Sequence, residues 1–313
     1  MICKECGEEF ESLRSLHAHI KKHNLHQPEY YCKHYPRHSL WYKQQLEFKN
    51  RDEYFLSYFV NDQELREWEQ LADQKEVKER SLELLRDRIV EKKYVYAPFY
   101  NELVTCRLPS VDTYKKHYGS YGAVCRALNV KPLYDGLPPD DFLKNGNLRD
   151  LPVLIDTREQ DPLPFKNKTV EKIFIGDYLL NDGSYNYTFV DRKSEGDFLG
   201  TLCSGIERFE REIEKTVELE GYLFVVVESS INKIQSNHQK FCRKTSLAYV
   251  FHNMRALCHK YPRRIQFVFS GSRENSIELI PELLFYGKKL WNVDVQYFLD
   301  HKKGKTDVCV GMR

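Results

Sequence analysis

The chain has 313 residues, 30% of them charged, and a formal net charge of only +2 at pH 7. That length predicts two or three domains, while so balanced a charge gives no global signal for a polyanionic partner, and any contact with one must come from local patches. Nine cysteines, an odd number without framework spacing beyond Cys3 and Cys6, exclude a disulfide scaffold and fit a reducing compartment. No signal-peptide pattern and no apolar run of bilayer-spanning length stands out, so the expected location is cytoplasmic, or nuclear in a eukaryotic host.

The first element is Cys3-x2-Cys6-x12-His19-x3-His23, which has the ligand types and spacing of a Cys2His2 zinc finger, with Phe10 and Leu16 as its apolar residues. His19 and His23 stand at i and i+4 and share a helix face, and the CxxC turn presents two thiolates to one tetrahedral ion. The expectation is one structural Zn²⁺ held by these four residues; His17 falls off that face and reads as a surface histidine. The helix positions that would meet bases, Ser12, Ser15 and Ala18, are all small, whereas Arg14, Lys21 and Lys22 suit phosphates.

Residues 26–62 are rich in aromatics, among them Tyr30, Tyr31, Tyr35, Trp41, Tyr42, Tyr54, Phe55, Tyr58 and Phe59, which read as core packing with base stacking as the alternative. Residues 63–91 are charge-dense with leucines at helical intervals, including Leu65, Leu71, Leu82, Leu84 and Leu85, and predict an exposed helix or spacer. Two short helices follow. Ser110 is a candidate cap for the first, and His117-Tyr118-Gly119-Ser120-Tyr121 turns into the second, with Val124, Ala127 and Leu128 as its apolar residues. The phrase Pro109-Ser110, Thr113-Tyr114, Tyr118-Gly119-Ser120-Tyr121 and Ala127-Leu128 resembles the small helical repeat that accompanies many homing endonucleases, with Tyr118 in place of its Phe. The resemblance covers about residues 86–130 and implies Lys115, Lys116 and Arg126 as DNA-facing. Residues 131–150, rich in Pro, Gly and Asn, read as a linker.

The second half carries the chemistry. Val153-Leu154-Ile155 reads as a strand delivering Asp156-Thr157-Arg158-Glu159 at its end. Gly176-Asp177-Tyr178 leads through the turn signal Asn181-Asp182-Gly183-Ser184 into Val190-Asp191-Arg192-Lys193, so a hairpin brings Asp177 beside Asp191. On a strand, Asp191 and Lys193 share a face and Arg192 points away. Two carboxylates at one point repel unless a cation lies between them, and an adjacent lysine can stabilise charge developing on a phosphate.

Residues 153 to about 290 resemble the XPF-type nuclease domain, whose pattern runs D-x-R-E, then G-D, then E-R-K-x-x-x-D. The matching residues are Asp156, Arg158, Glu159, Gly176, Asp177, Arg192, Lys193 and Asp197. Asp191 stands where the family has Glu, one methylene shorter, which draws the carboxylate back by about 1.5 Å. The resemblance implies an α/β, restriction-endonuclease-like core with a mixed sheet. It also implies Mg²⁺- or Mn²⁺-dependent DNA cleavage in which Asp177 and Asp191 bind metal, Asp156 and Glu159 supply further acids, Lys193 stabilises the phosphate, and Arg192 and Asp197 support the site. A homodimer through this domain is a further expectation.

Downstream, helices are expected at 205–220, 245–261 and 276–286, the last starting late or kinked at Pro281, with buried strands at 222–227 and 265–269. Arg208 and Arg211 read as partners of neighbouring glutamates, with an approach to DNA as the alternative, and the tail from Lys302 as basic and mobile. The expected organisation is a finger at 1–26, an aromatic and helical spacer at 27–85, a helical repeat at 86–130, a linker at 131–150 and a nuclease at 151–313. The combination looks like a phage or mobile-element endonuclease of the host-cell cytoplasm, homing-like in its site choice. A structure-specific nuclease of flaps, forks or junctions and an inactive DNA-binding protein are the alternatives.

Overall fold

The computed structural model of the chain describes residues 1–39, 45–47, 68, 72–144, 148–241 and 247–302. Trp41, Tyr42, Tyr54, Phe55, Tyr58, Phe59, Leu65, Leu71 and the tail after Lys302 lie outside the described residues. The chain forms two compact units, Met1–Arg80 and Ser81–Arg313.

In the first unit an antiparallel bridge, Ile2↔Glu9, closes a small loop. Gly7, at φ +81°, takes the left-handed turn that lets its amide reach the Cys3 carbonyl at 2.8 Å. Helix α1 (Leu13–Ile20) is capped by Ser12, whose Oγ accepts from the Ser15 amide. Helix α2 (Gln27–His34) follows, and Cys3, Leu16, Ile20 and Tyr30 make a small buried core with Phe10 and Tyr31 against it.

The second unit is a mixed α/β structure. After helix α3 (Gln74–Lys92), which spans the division between units, the short strand β1 (Tyr96–Ala97) pairs in parallel with β2 (Lys131–Pro132). Between them lie helices α4 (Tyr100–Cys106), α5 (Val111–Tyr118) and α6 (Tyr121–Ala127). Ser110 caps α5 and Ser120 caps α6, with Gly119 at φ +85° making the turn, so the expected helix pair is present.

The main sheet comprises β3 (Val153–Asp156), β4 (Lys168–Glu171), β5 (Tyr178–Leu180), β6 (Thr188–Lys193), β7 (Tyr222–Val227) and β8 (Ile265–Phe269) in the order β4-β3-β5-β6-β7-β8. The pairs β3·β5 and β5·β6 are antiparallel; β3·β4, β6·β7 and β7·β8 are parallel. Every residue of β7 is apolar and buried, as a strand with parallel neighbours on both sides requires. Edge strand β4 is exposed throughout, and its polar sequence carries no alternating signal.

Helices α7 (Glu195–Cys203), α8 (Ile206–Glu218), α9 (Ile231–Phe241), α10 (Leu247–Lys260), α11 (Arg273–Tyr286) and α12 (Val295–Lys302) complete the unit. Helix α11 starts earlier than expected because Ser272 caps it at Arg273, and Pro281 lies within it. The stretch after β2, with its linker-like composition, is packed: Leu133, Tyr134 and Phe142 are buried, the Tyr134 hydroxyl donates to the Ile265 carbonyl at 3.1 Å, and the Gly136 amide donates to the Asn292 carbonyl at 2.7 Å. Asn101 Nδ2 likewise donates to the Phe267 carbonyl at 2.8 Å. The helical segment is therefore joined to β8 by buried hydrogen bonds and side chains, each of the latter worth about 1.5–3 kcal/mol of transfer. Among the described residues no helix is long and apolar enough to cross a membrane.

Candidate active site and cysteine–histidine centre

The register Tyr178↔Val190 sets Asp177 opposite Asp191 across β5 and β6, and the Arg192 amide donates to Asp177 Oδ2 at 2.8 Å. Gly176 makes this approach possible. Its φ is +68°, and a Cβ there would sit 2.7 Å from the Val190 carbonyl oxygen, which only glycine avoids. Lys193 shares Asp191's face of the strand and places Nζ 2.7 Å from Asp191 Oδ2.

These residues line an open cleft of about 450 Å³. Helix α8 supplies its other wall: Phe209, Ile213 and Thr216 are buried beneath the helix while Arg208, Arg211, Glu212 and Lys215, at helical spacing, line the cleft. Glu212 Oε1 accepts from the Gly176 amide at 2.8 Å.

Three carboxylates, Asp177, Asp191 and Glu212, crowd together in a cleft that is otherwise lined by the cations Arg158, Lys193, Arg208, Arg211 and Lys215. Burial, then the Asp191 carboxylate, pushes the Asp177 carboxyl up to about 9, and burial followed by Asp191 also raises Glu212. Burial alone would depress the Lys193 ammonium, but Asp191, Asp177 and Glu212 outweigh it and raise the net value. Asp191 Oδ2 is buried and, for all its nearness to Lys193, receives no well-directed hydrogen bond. The acidic groups offer oxygen donors only, the donor type that a hard divalent cation such as Mg²⁺ or Mn²⁺ takes.

Other members of the sequence motif stand outside the cleft. Asp156 is buried at the end of β3, and both its oxygens are used: Oδ1 accepts from the Arg158 amide and Nε, each at 2.7 Å, and Oδ2 from the Ile173 amide at 2.8 Å. Burial opposes ionisation there, but these hydrogen bonds prevail and hold Asp156 below the usual carboxylate range. Its effect is to fix Arg158, which lines the cleft. Arg192 lies on the opposite face of β6 from Lys193, bonded to Glu159 at 3.0 Å and Glu228 at 2.9 Å, a bracket that braces the strand. Ser194 caps helix α7: its Oγ accepts from the Asp197 amide at 3.2 Å and donates to Asp197 Oδ2 at 2.6 Å, so Asp197 is held at the helix start.

Glu212 was not legible in the motif, and Arg208 and Arg211 face the cleft rather than a neighbouring glutamate. The signal for them was the strong amphipathic pattern of 206–218, which fixes what α8 turns outward.

The N-terminal unit gathers Cys3, Cys6, His19 and His23, whose ligand atoms all lie within 4.8 Å of one another, the one such cluster among the described residues. Cys6 Sγ is 3.2 Å from His19 Nε2, Cys3 Sγ 3.7 Å from His23 Nε2, and the two Nε2 atoms 2.9 Å apart. Ligands at Zn–S ≈ 2.3 Å and Zn–N ≈ 2.0 Å on a tetrahedron stand about 3.3–3.8 Å apart; the two Nε2 atoms stand closer than that, and the four, with small side-chain adjustments, could hold a zinc ion. Burial opposes the Cys3 thiolate, yet the Cys6 and Glu5 amides lower its pKa overall. Glu8 Oε2 lies 3.4 Å from His19 Nδ1, the place of an orienting carboxylate. His17 is not a free surface residue, since its Nε2 meets the Tyr31 hydroxyl at 2.7 Å.

Among the residues expected to face DNA, Arg14, Lys21 and Lys22 are exposed on and after α1, Lys116 and Arg126 are exposed on α5 and α6, and Lys115 is half-buried. Ser12 and Ser15 bond each other at 2.8 Å.

No protein-family model and no curated protein matches the chain. Several solved structures are similar to part of it, two of them of one protein. XPF from Aeropyrum pernix in complex with DNA is 20% identical, with TM-score 0.32, over 50% of this chain and 68% of that one; XPF from Aeropyrum pernix alone is 19% identical, with TM-score 0.31, over 49% and 74%.

Proposed function

We propose that the cleft hydrolyses DNA phosphodiester bonds with Mg²⁺ or Mn²⁺, and that the observation carrying this reading is Asp177 facing Asp191 across a hairpin with Lys193 on the same face. Asp177 and Asp191, with Glu212 from α8, would hold the cation. When bound, it would activate water and offset charge on the phosphate.

The remaining work belongs to side chains. Lys193, kept protonated by the surrounding carboxylates, stabilises the negative charge that builds on the phosphoryl oxygens. Arg158, Arg208, Arg211 and Lys215 along the cleft bind backbone phosphates on either side of the scissile bond. Asp156 holds Arg158 in place, Gly176 holds Glu212, and the Glu159–Arg192–Glu228 bracket keeps β6 rigid under the acids. The Cys3, Cys6, His19 and His23 centre would hold structural Zn²⁺, and Lys115, Lys116 and Arg126 would add phosphate contacts that place the cut.

The test is cleavage of supercoiled plasmid and of a panel of branched DNAs with Mg²⁺ or Mn²⁺. Wild type should nick or break DNA, EDTA should abolish it, and Lys193→Ala should slow it by about 10²–10³-fold, the usual effect of losing one transition-state charge partner. Cleavage that persists in EDTA or in Lys193→Ala would place the chemistry elsewhere. A defined product from flaps or junctions alone would assign structure selection; one from a particular duplex sequence would assign site selection.

A further inference from the structure

A second cavity, of about 520 Å³, shares no lining residue with the cleft. It forms where α3 ends. Lys93 takes a left-handed conformation at φ +54°, its amide meets the Val90 carbonyl at 3.1 Å and the Tyr94 amide the Ile89 carbonyl at 3.0 Å. The chain is thereby turned into β1, which its pairing to β2 holds in place.

One wall is aromatic and rigid. The Tyr94 and His259 rings stack at 3.6 Å with 10° between planes. Their polar ends share one fully buried carboxylate: the Tyr94 hydroxyl donates to Glu102 Oε1 at 2.9 Å, and His259 Nε2 meets Glu102 Oε2 at 2.7 Å. Arg88 binds the same Oε1 through Nε and Nη2 at 2.9 and 2.7 Å, so Glu102 has nothing left to offer a ligand. Tyr96, beyond, has the Arg263 guanidinium 5.8 Å from its ring centre.

The rest of the lining is cationic or apolar, with Lys92, Lys93, Lys260, His252, Val95 and Pro262 and no carboxylate. Lys92 meets Glu91 and Lys260 meets Glu210, both at the surface, while no hydrogen bond or ion pair joins the Lys93 side chain to any described residue. Burial, then Arg255 and Lys92, holds the His252 imidazole below its usual pKa, as a site of positive potential should. A cavity that sets flat aromatic surface beside ammonium groups, that of Lys93 unpaired and that of Lys260 shared with Glu210, has the chemistry that single-stranded nucleic acid requires, with a π-face for the base and cations for the phosphate.

We propose that this cavity binds a nucleotide of single-stranded nucleic acid, its phosphate against Lys93 and Lys260 and its base against Tyr96. The site is separate from the cleft, and its test needs no cleavage. Fluorescence anisotropy of a labelled oligothymidylate is followed in EDTA, with full-length protein and increasing salt. The double variant Lys93→Ala/Lys260→Ala should bind about tenfold more weakly, with a salt slope shallower by about 0.7, the loss of one single-strand phosphate contact. Lys93→Arg/Lys260→Arg should restore both. Tyr96→Leu, which keeps an apolar residue in β1, should weaken binding by about fivefold or more, and an oligonucleotide carrying iododeoxyuridine should photocrosslink within residues 94–96. Displacement of the oligonucleotide by millimolar thymidine monophosphate would identify a free nucleotide as an occupant; failure to displace, with binding still weakened in the variants, would identify the strand. Lysine and tyrosine variants that bind like wild type, or crosslinks that map elsewhere, would overturn the assignment.

Discussion

The Cys3–His23 centre and the cleft around Asp177 are both gatherings of ligand atoms, and they are built in opposite ways. The first lies within one short segment, where a turn, helix α1 and the 3₁₀ turn Lys21–His23 that follows it bring four soft and borderline donors within 4.8 Å of one another. The second draws on the start of β5, on β6 and on α8, and crowds three carboxylates together inside a ring of cations. A locally closed centre has no open position for a substrate and stabilises its own fold. An open one with crowded carboxylates strains its fold when empty and has room for a reacting group. The contrast predicts that the first can be taken out of the chain intact and the second cannot.

The largest effect is expected at the first centre. A peptide of residues 1–39 has too little apolar surface to fold alone, so it should be unstructured by circular dichroism without zinc and gain helix on stoichiometric addition. Cys6→Ser should weaken zinc binding by at least about 100-fold, since structural zinc supplies roughly 10–16 kcal/mol of coupled folding energy. A peptide equally helical with and without zinc would break the comparison, because the ligands would then be passengers on a fold that stands without them.

The complementary prediction concerns where the second unit can be cut. The composition of 131–150 suggested a division near residue 145, but a fragment starting there would strip Asn101 from Phe267, Glu102 from His259 and Tyr134 from Ile265. It would also leave Arg255 and His259 of α10 without Thr105 and Glu102. Uncompensated buried partners cost about 1–3 kcal/mol each, and loss of the aromatic packing adds several more, which together match the whole stability of an ordinary domain. Residues 146–313 should therefore lack a cooperative urea transition, whereas residues 81–313 should retain one. A sharp transition in the shorter fragment would show that the helical segment is an appendage.

These two cases mark what the sequence could and could not disclose. The Cys/His spacing, the all-apolar run Tyr222–Val227 and the alternation that puts Asp191 and Lys193 on one face are short-range patterns fixed by the helix and strand repeats themselves. Motif membership was a poorer guide to which side chain reaches the cleft. Asp156, Glu159 and Asp197 match the pattern, yet each is engaged with a nearby partner, because an acid beside an arginine or a helix start is bound there first. Glu212 and Arg208 reach the cleft through the packing of α8 on the sheet: the amphipathic pattern of 206–218 shows that they turn away from the core, but which strands that outer face meets is a long-range consequence. Leu133, Tyr134 and Phe142 are buried singly in an extended stretch, so they leave no period to read.

The smallest effect, and the one that tests the strain in the empty cleft, is the dependence of stability on pH. An isolated aspartate ionises near pH 4, but in the metal-free folded protein the Asp177 carboxyl is pushed up to about 9 by burial and by Asp191. Between those values the folded state holds a proton that the unfolded state has released, so stability is fully present below about pH 4 and falls as pH rises toward 9. Asp294, raised to about 6 by burial, adds the same sign at the acid end, which leaves pH 6–9 as the window in which Asp177 is separable. In EDTA, the urea midpoint of wild type should decline across that window, and Asp177→Asn, which cannot ionise, should decline less and exceed wild type at pH 8. Mg²⁺ should flatten the wild-type decline, because a cation bound to the ionised carboxylates stabilises the folded state alone, and it should leave Asp177→Asn nearly unmoved. Asp177→Asn should also lose cleavage, so that one substitution stabilises the empty protein and removes its chemistry. Parallel pH profiles for the two proteins in EDTA would mean that Asp177 ionises freely, and the cleft would then differ from the Cys/His centre in ligand chemistry without being the strained member of the pair.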